Sequence, residues 1–379
     1  MNEKESKKEV LDGVSVVLPS LDPDEKLLAV VVGLLSVGFT DIILVNDGSK
    51  QEKLHYFEEA AKYPQVHVLT HPVNQGKGAA LKTAFAWFLE NRPKGEGVVT
   101  VDGDNQHRPE DTLACTEQML KSRHVVLGVR DFSLPQVPSR SRFGNKVTSG
   151  VFKIFCGMRI SDTQTGLRAI PASALPSFVK VSGDRFEYET NMLLAIRDEE
   201  IPFEEVKCQT VYIEENKSSH FRTFVDSFRI YRLLFAHFFR YTLSSLLSAL
   251  LDEGVFTALS FLLHGLLNGL LLTAIPAFAA RVISSLFNFF MNRNYVFQSK
   301  EKTGKSLLRY YALAVPLFFM QLLLTHGVFV LFHVKEESTG LRALIYAIVM
   351  TVLYVASFML QQRFVFRTRQ KSREEEKNE

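Results

Sequence analysis

Gly97-Val98-Val99-Thr100-Val101-Asp102-Gly103-Asp104-Asn105-Gln106-His107 joins an apolar run to a cluster of polar side chains. The β-branched residues of 97–101 predict a buried strand, so Asp102 and Asp104 stand at the carboxyl end of that strand. Two carboxylates one residue apart can bind one hard divalent cation, Mg2+ or Mn2+, and Gln106 offers a third oxygen ligand. Because such a cation can hold a nucleotide diphosphate, the stretch predicts a metal-dependent sugar-nucleotide site. The alternative is a solvated acidic turn, which commonly explains so short a pattern.

Three earlier runs of the same kind predict an alternating α/β layer around this stretch. Residues 14–18, 41–45 and 66–69 are β-branched, and apolar residues at helical spacing fill the segment 27–35. That order predicts a doubly wound, mostly parallel sheet, which binds ligands beyond the carboxyl ends of its strands. A dinucleotide-binding fold is disfavoured because no Gly-x-Gly-x-x-Gly follows the first run, which ends at Pro19.

Composition divides the 379 residues near residue 236 into a polar N-terminal half and an apolar C-terminal half. The length predicts two or three domains. A net charge of +3 does not suggest a nucleic-acid surface, so no nucleic-acid partner is expected. Cys115, Cys156 and Cys208 form no Cys-x-x-Cys pattern, so we expect reduced, cytosolic thiols. Residues 1–10 lack an apolar core, so no cleavable signal peptide is expected.

Five ordered blocks over residues 12–220 resemble those of family 2 glycosyltransferases of the dolichol-phosphate mannose synthase type. The blocks are Val45-Asn46-Asp47-Gly48-Ser49, Asn74-Gln75-Gly76-Lys77-Gly78, Asp102-Gly103-Asp104-Asn105-Gln106-His107, Gly128-Val129-Arg130 and Asp162-Thr163-Gln164-Thr165-Gly166. The resemblance implies a GT-A fold and a UDP- or GDP-sugar donor. It also implies a polyprenyl phosphate acceptor such as undecaprenyl phosphate, and transfer with inversion at the anomeric carbon.

The resemblance also implies roles for individual residues. By position, the metal ligands are Asp102, Asp104 and Gln106. The residues that line the nucleotide are Pro19, Asn46, Asp47, Lys77 and Asp102. Asn46 stands where the family usually has aspartate, so the identity of the nucleotide base stays open. The candidate catalytic residues are Asp102, Asp104 and Arg130, and also Arg142, which is chosen for its chemistry and not by the resemblance.

A phosphate acceptor needs no general base, because its second pKa is about 6 and it is already anionic near neutral pH. Arginine side chains can orient such a phosphate through paired hydrogen bonds. The candidates are Arg130, Arg140 and Arg142, and the alternative for the last two is a solvated basic surface. These arginines flank the proline-containing loop 132–139, which we predict to be a mobile lid. Lys217 and His220 are further candidate phosphate contacts.

The C-terminal half predicts an all-α membrane domain. Aromatic residues at helical spacing over 221–237 predict an interfacial amphipathic helix, and four apolar spans follow at 241–263, 266–291, 310–332 and 343–360. Lysine and arginine cluster before the first span, between the second and third, and after the fourth. The positive-inside rule therefore places the N-terminal domain and both termini on the cytoplasmic side of a cell membrane.

Two features inside this half predict more than an anchor. Residues 280–297 resemble the GtrA family of four-helix membrane proteins, which is linked to movement of lipid-linked sugars. Asn294-Tyr295-Val296-Phe297 and Arg363-Phe364-Val365-Phe366 form a weak internal echo. Asp252, Glu253 and Arg281 fall at similar depth, and isolated charges in a bilayer are costly, so we predict that Arg281 pairs with one of the two acids.

The predicted chain therefore has a disordered N-terminus (1–11), a GT-A domain (12–220), an interfacial helix (221–237), a GtrA-like domain (238–366) and a charged tail (367–379). The leading hypothesis is a membrane glycosyltransferase that makes a polyprenyl-phosphate sugar for the cell envelope. A lipid-linked sugar translocator with a non-catalytic N-terminal domain is the alternative. A processive polysaccharide synthase is disfavoured because no Gln-x-x-Arg-Trp is present. The sugar, the final polymer and homo-oligomer formation stay open.

Overall fold

The structure is a computed structural model that describes residues 11–132, 134, 137, 139–209, 223–299, 301–334 and 338–366. The chain forms two compact units, Met1–Tyr231 and Arg232–Glu379. Residues 1–10 of the predicted disordered N-terminus and the predicted charged tail, 367–379, lie outside the described residues. Leu11, which the prediction placed in a disordered N-terminus, is instead buried in the core of the first unit.

The first unit contains a seven-stranded sheet in the order β3-β2-β1-β4-β6-β5-β7. The strands are β1 (Val14–Ser20), β2 (Ile42–Asn46), β3 (Val66–Thr70), β4 (Gly97–Thr100), β5 (Val125–Arg130), β6 (Arg168–Pro171) and β7 (Phe203–Cys208). All neighbouring pairs are parallel except the two that β6 makes with β4 and β5. The four strands expected from the sequence are present, and the predicted mostly parallel sheet is confirmed.

Helices cover the sheet, and burial of the apolar side chains on both sides accounts for the near-continuous Val/Ile/Leu runs in the strands. The helices are α1 (Lys26–Ser36), α2 (Leu54–Ala60), α3 (Lys77–Asn91), α4 (Pro109–Ser122), α5 (Ser139–Val151), α6 (Leu175–Val179) and α7 (Glu187–Asp198). In α1 the residues at helical spacing face the core: Leu27, Val30, Val31 and Leu34 are buried. The chain order reverses direction between β1 and β4, so the sheet has a switch point there.

Among the described residues, four apolar helices are long enough to cross a membrane, and all but the first turns of the first helix belong to the second unit. They are α8 (Thr223–Leu263), α9 (Leu270–Met291), α10 (Thr303–Leu331) and α11 (Thr339–Leu360). Short π-helical turns, Asn292–Val296 and Gln361–Val365, extend α9 and α11. The predicted spans are confirmed in number, but each begins or ends several residues from its predicted limits. The predicted interfacial segment is continuous with the first span, because α8 runs unbroken from Thr223.

Candidate active site

The polar segments predicted to form a site lie together beyond the carboxyl ends of β1, β2 and β4. They line a cavity of about 380 Å³ next to the switch point between β1 and β4. Its lining includes the main chain or side chains of Pro19, Ser20, Asp22, Asp24, Lys26, Asp47, Lys77, Asp102, Asp104 and Arg185. The structure therefore brings together four of the residues predicted to bind the donor, namely Pro19, Asp47, Lys77 and Asp102.

Lys77 is the centre of the charge distribution in this cavity. Its Nζ lies 2.8 Å from Asp102 Oδ1 and 2.9 Å from Glu189 Oε1. Burial alone lowers the pKa of Lys77, but the two carboxylates outweigh it and raise that pKa above its ordinary value. For Asp102, burial raises the pKa, but Lys77 and His107 lower it far below its usual range. Both groups are therefore charged at neutral pH.

Asp104 is the second carboxylate of the cavity, and within the described ranges it forms no ion pair. Burial, and then the negative charge of Asp102, raise the pKa of its carboxyl group. The backbone N–H of Gln106 donates to Asp104 Oδ1 at 3.1 Å, but Gln106 does not line the cavity. In the described part of the chain, no three His, Cys, Asp or Glu side chains form a metal cluster. Of the predicted ligands, Asp102 and Asp104 line the cavity, and their carboxylates are the hard oxygen donors that Mg2+ and Mn2+ bind.

Asp47 organises the loop that carries Lys77. Its carboxylate is buried and accepts hydrogen bonds from the backbone N–H groups of Gln75 (2.9 Å) and Gly76 (2.7 Å). His71 Nδ1 lies 2.7 Å from the same carboxylate. Asp47 therefore fixes the start of α3, whose first residue is Lys77. Asn46 is also buried, but its side chain accepts from the backbone N–H of Ser49 and does not line the cavity.

The arginines predicted to bind the acceptor are placed differently from one another. Arg130 forms a paired contact with the buried Asp162, with Nε 2.6 Å from Oδ2 and Nη2 2.9 Å from Oδ1, and does not line the cavity. Arg142 is exposed on α5 and donates to the carbonyl oxygen of Leu134 at 3.0 Å. The side chain of Arg140 lies outside the described residues. So do Lys217, His220 and four of the eight residues of the predicted lid.

In the membrane unit, the structure brings Arg281 and Asp252 together. Arg281 Nη2 lies 3.3 Å from Asp252 Oδ2, and Ser284 Oγ donates to Asp252 Oδ1 at 2.7 Å. Glu253 is exposed, and within the described ranges it makes no ion pair.

The sequence assigned no definite role to Glu189, Asp162 or Arg168. Asp162 belongs to one of the quoted motifs, but its pairing with Arg130 was not predicted. Arg168 is fully buried; its guanidinium donates to the carbonyl oxygens of Thr165 and Glu189, and so ties β6 to the start of α7. Acidic residues at the start of a predicted helix were the only signal for Glu189, because its partner Lys77 is 112 residues away in the chain.

Comparison with known proteins assigns both units. Residues 15–163 match the family described as Glycosyl transferase family 2, and residues 240–366 match the family described as GtrA/DPMS, transmembrane domain. The chain joins a family 2 glycosyltransferase domain to a GtrA/DPMS transmembrane domain. Both predicted resemblances are confirmed, as is a GT-A-like fold for the glycosyltransferase domain. The GtrA/DPMS match and the four apolar helices make the chain a multi-pass membrane protein.

Several curated proteins resemble the glycosyltransferase domain. An uncharacterized protein of Methanocaldococcus jannaschii is 27% identical over 55% of this chain and 85% of its own length. The UDP-N-acetylglucosamine–dolichyl-phosphate N-acetylglucosaminyltransferase of Methanococcus voltae is 25% identical over 58% of this chain and 94% of its own. An undecaprenyl-phosphate mannosyltransferase of Micrococcus luteus is 28% identical over 43% and 68%. Among solved structures, glucosyl-3-phosphoglycerate synthase from Mycobacterium tuberculosis is 16% identical over 62% of this chain and 84% of that one, with a TM-score of 0.48.

Gly166 of the glycosyltransferase domain gives a first test of the site. A Cβ at this position would lie 2.4 Å from Asp102 Oδ2, so Gly166→Ala must displace the Asp102 carboxylate. We expect sugar transfer to fall about 10- to 100-fold, because small misplacements of a site cost that much. Gly150→Ala is the matched control, since a Cβ there meets nothing within 4 Å. Equal activity of the two variants in a transfer assay would contradict a role for Asp102.

Proposed function

We propose that the chain transfers a sugar from a nucleotide diphosphate to a polyprenyl phosphate, with inversion at the anomeric carbon. The observation that carries the proposal is the cavity of the family 2 domain, where Asp102, Asp104 and Lys77 meet. Relatives whose names specify dolichyl phosphate or undecaprenyl phosphate as the acceptor support the same class of reaction.

In this proposal the donor diphosphate occupies the cavity, where Asp102 and Asp104 would hold a divalent cation; Gln106, the third predicted ligand, follows them in the same loop but does not line the cavity. When bound, the cation supplies Lewis-acid neutralisation of the departing diphosphate. Pro19 and Asp47 line the nucleotide. Asp47 also accepts hydrogen bonds from the backbone of Gln75 and Gly76 and so keeps the loop before Lys77 in place. Lys77, held between Asp102 and Glu189, presents a fixed positive charge to the diphosphate oxygens.

The acceptor phosphate attacks the anomeric carbon from the side opposite the departing diphosphate, which inverts that carbon. Its oxygen is already anionic, so no residue has to remove a proton. Arg130, Arg140 and Arg142, together with Lys217 and His220, orient this phosphate in the proposal. Asp162 holds the Arg130 guanidinium through two hydrogen bonds, which supports a fixed direction for that group.

The membrane domain keeps the reaction at the bilayer, where the polyprenyl chain of the acceptor resides. Clusters of lysine and arginine at three of the five segments that flank the spans support a cytoplasmic catalytic domain and cytoplasmic termini. We extend the proposal to the product: the GtrA/DPMS domain assists movement of the lipid-linked sugar to the other side.

The deciding experiment incubates membranes that contain the full chain with a panel of labelled UDP- and GDP-sugars and undecaprenyl phosphate. We expect one donor to give a labelled lipid that is sensitive to mild acid, and chelation of divalent cations to stop its formation. Binding of a nucleotide sugar without any lipid product across the panel would favour the alternative, a translocator with a non-catalytic N-terminal domain.

A further inference from the structure

The membrane domain consists of two copies of one helical hairpin. Residues 238–297 align without gaps to residues 307–366, so that each residue has a counterpart 69 positions later. The identical pairs include Arg240 and Arg309, Tyr241 and Tyr310, Phe289 and Phe358, Val296 and Val365, and Phe297 and Phe366. Both copies also end in a π-helical turn at the same place.

Contacts between the hairpins are reciprocal, as they are across a two-fold axis. The hydroxyl of Tyr241 lies 3.1 Å from Ser357 Oγ, and the hydroxyl of its counterpart Tyr310 lies 3.0 Å from Asn288 Oδ1. Asn288 is the counterpart of Ser357 in the first hairpin. The ring of Tyr241 lies 5.2 Å from that of Phe358, and the equivalent contact of Tyr310 with Phe289 is 5.5 Å.

In two of the counterpart pairs, the two members of the pair contact each other directly. Such pairs lie on the axis that relates the hairpins. Asn292 Nδ2 donates to Gln361 Oε1 at 3.1 Å, and the rings of Phe297 and Phe366 stack at 5.1 Å. The residues that pack the bundle are thus present in both halves.

Three polar residues of the first hairpin break this symmetry. Asp252 forms an ion pair with Arg281 and accepts a hydrogen bond from Ser284, whereas the counterparts of these three residues are Gln321, Met350 and Leu353. The second hairpin packs in the same way without any charge at these positions. Packing alone therefore does not account for the ion pair in the first hairpin.

The position of this group makes it costly. Asp252 lies eleven residues before the end of its span at Leu263, and Arg281 lies eleven residues after the start of the next at Leu270. At about 1.5 Å per residue, both lie about 16 Å deep in a hydrocarbon core about 30 Å thick. The Arg281 side chain is nevertheless 77% exposed on the outside of the described bundle, and the Asp252 side chain 24%. Ionisable residues at such depth usually face a polar partner.

We propose that Asp252, Glu253 and Arg281 bind the head group of a lipid-linked sugar, in which a phosphodiester joins the sugar to the lipid chain. The head group reaches them from the bilayer side, at mid-depth in the membrane. Arg281 uses one nitrogen on Asp252 and turns an exposed guanidinium toward the lipid, which suits a phosphodiester. The carboxylates of Asp252 and Glu253 accept hydrogen bonds from hydroxyl groups, which a sugar offers. A lipid is the ligand class that reaches this surface, and the product of the proposed function carries both groups. The inference rests on that function for the identity of the lipid.

The test uses the full chain in phosphatidylcholine nanodiscs without a sugar donor, and native mass spectrometry measures the lipids retained. The probes are undecaprenyl-phosphate mannose, undecaprenyl phosphate and phosphatidylglycerol. We expect Arg281→Met to weaken retention of undecaprenyl-phosphate mannose about tenfold, the loss typical of a charged hydrogen-bonding group. Asp252→Gln should remove the preference for the mannosylated lipid over undecaprenyl phosphate. The Asp252→Gln/Arg281→Met double variant gives these two positions the residues of the second hairpin, so neither member of the ion pair is left without the other if a single variant misfolds.

Gln321→Leu is the matched control, since this counterpart of Asp252 in the second hairpin lies outside the site; it should retain all three lipids like the unaltered chain. Unchanged retention of the mannosylated lipid by Arg281→Met and by the double variant would overturn the proposal. The proposal would also be overturned if phosphatidylglycerol were retained as well as the mannosylated lipid, because the site would then bind ordinary phospholipid. A third result would overturn the proposal: chemical cross-linking gives a dimer of the chain, and Arg281→Met loses this dimer but still retains the lipid. The charges would then belong to a contact between two chains. Retention is measured without donor, so it is independent of the donor panel, whose failure would overturn the proposed transfer reaction.

Discussion

Asp104→Asn is expected to lower sugar transfer by about 10³-fold while the chain stays folded in the membrane. The substitution keeps the shape of the side chain but removes a charge from the proposed cation site, and the Lewis-acid contribution of a metal is worth several kcal/mol. Initial rates with the active donor and undecaprenyl phosphate measure the effect. Excess divalent cation should restore little of the rate, because the missing ligand is part of the site.

Asp198→Asn is the matched control for this prediction. Asp198 is an exposed aspartate at the end of α7, where it pairs with the neighbouring Arg197 and does not line the cavity. Its variant should keep the unaltered rate. A normal rate for Asp104→Asn, or full activity of the unaltered chain in excess chelator, would contradict the metal assignment.

The largest loss of stability is expected for Asp162→Ala. The Asp162 carboxylate is fully buried and accepts from Nε and Nη2 of Arg130 and from the backbone N–H of Gln164. Asp162→Ala removes this buried carboxylate and its hydrogen bonds to Arg130 and Gln164, and breaking a buried ion pair typically costs about 3–5 kcal/mol of unfolding free energy. Trp87 is the only tryptophan of the chain and lies in α3, so its fluorescence during urea unfolding reports on the glycosyltransferase domain alone.

Glu59→Ala provides the comparison on the surface of the same domain. Glu59 pairs with Lys62 across one helical turn, both side chains are largely exposed, and such pairs contribute at most about 1 kcal/mol. A urea midpoint for Asp162→Ala no lower than that of Glu59→Ala would show that the Arg130 pair is not needed for the fold. A second variant, Arg130→Met combined with Asp162→Leu, removes both charges and should recover part of the lost stability.

The parts of the fold that local patterns control could be predicted from the sequence. β1 to β4 follow from β-branched runs, and α1 follows from its apolar spacing, because both signals depend on residues close together in the chain. β6 was missed as a strand, although it lies between β4 and β5. Its four residues, Arg168–Pro171, are too few for a clear alternation, and an antiparallel insertion into a parallel sheet is set by tertiary packing.

The candidate site divides in the same way. Asp102, Asp104 and Asp47 could be placed because each follows a strand, and strand ends meet at one edge of a parallel sheet. The contacts of Lys77 with Glu189 and of Arg130 with Asp162 could not be placed, since each joins residues far apart in the chain. In the membrane, the pairing of Arg281 with Asp252 could be anticipated from depth alone, because a charge in hydrocarbon needs a partner close to its own level.

The amide pair that joins the two hairpins near the ends of their second spans bears on how such a domain can arise. A side-chain amide carries a donor and an acceptor, so it can pair with an identical amide, whereas a carboxylate or an ammonium group opposite its own copy would repel it. A single ancestral hairpin with an amide at the place of Asn292 and Gln361 could therefore have bound a second copy of itself through the contacts now seen. Fusion of two such genes would keep that contact and free each copy to change alone. One copy could then acquire charges without duplicating them in the other.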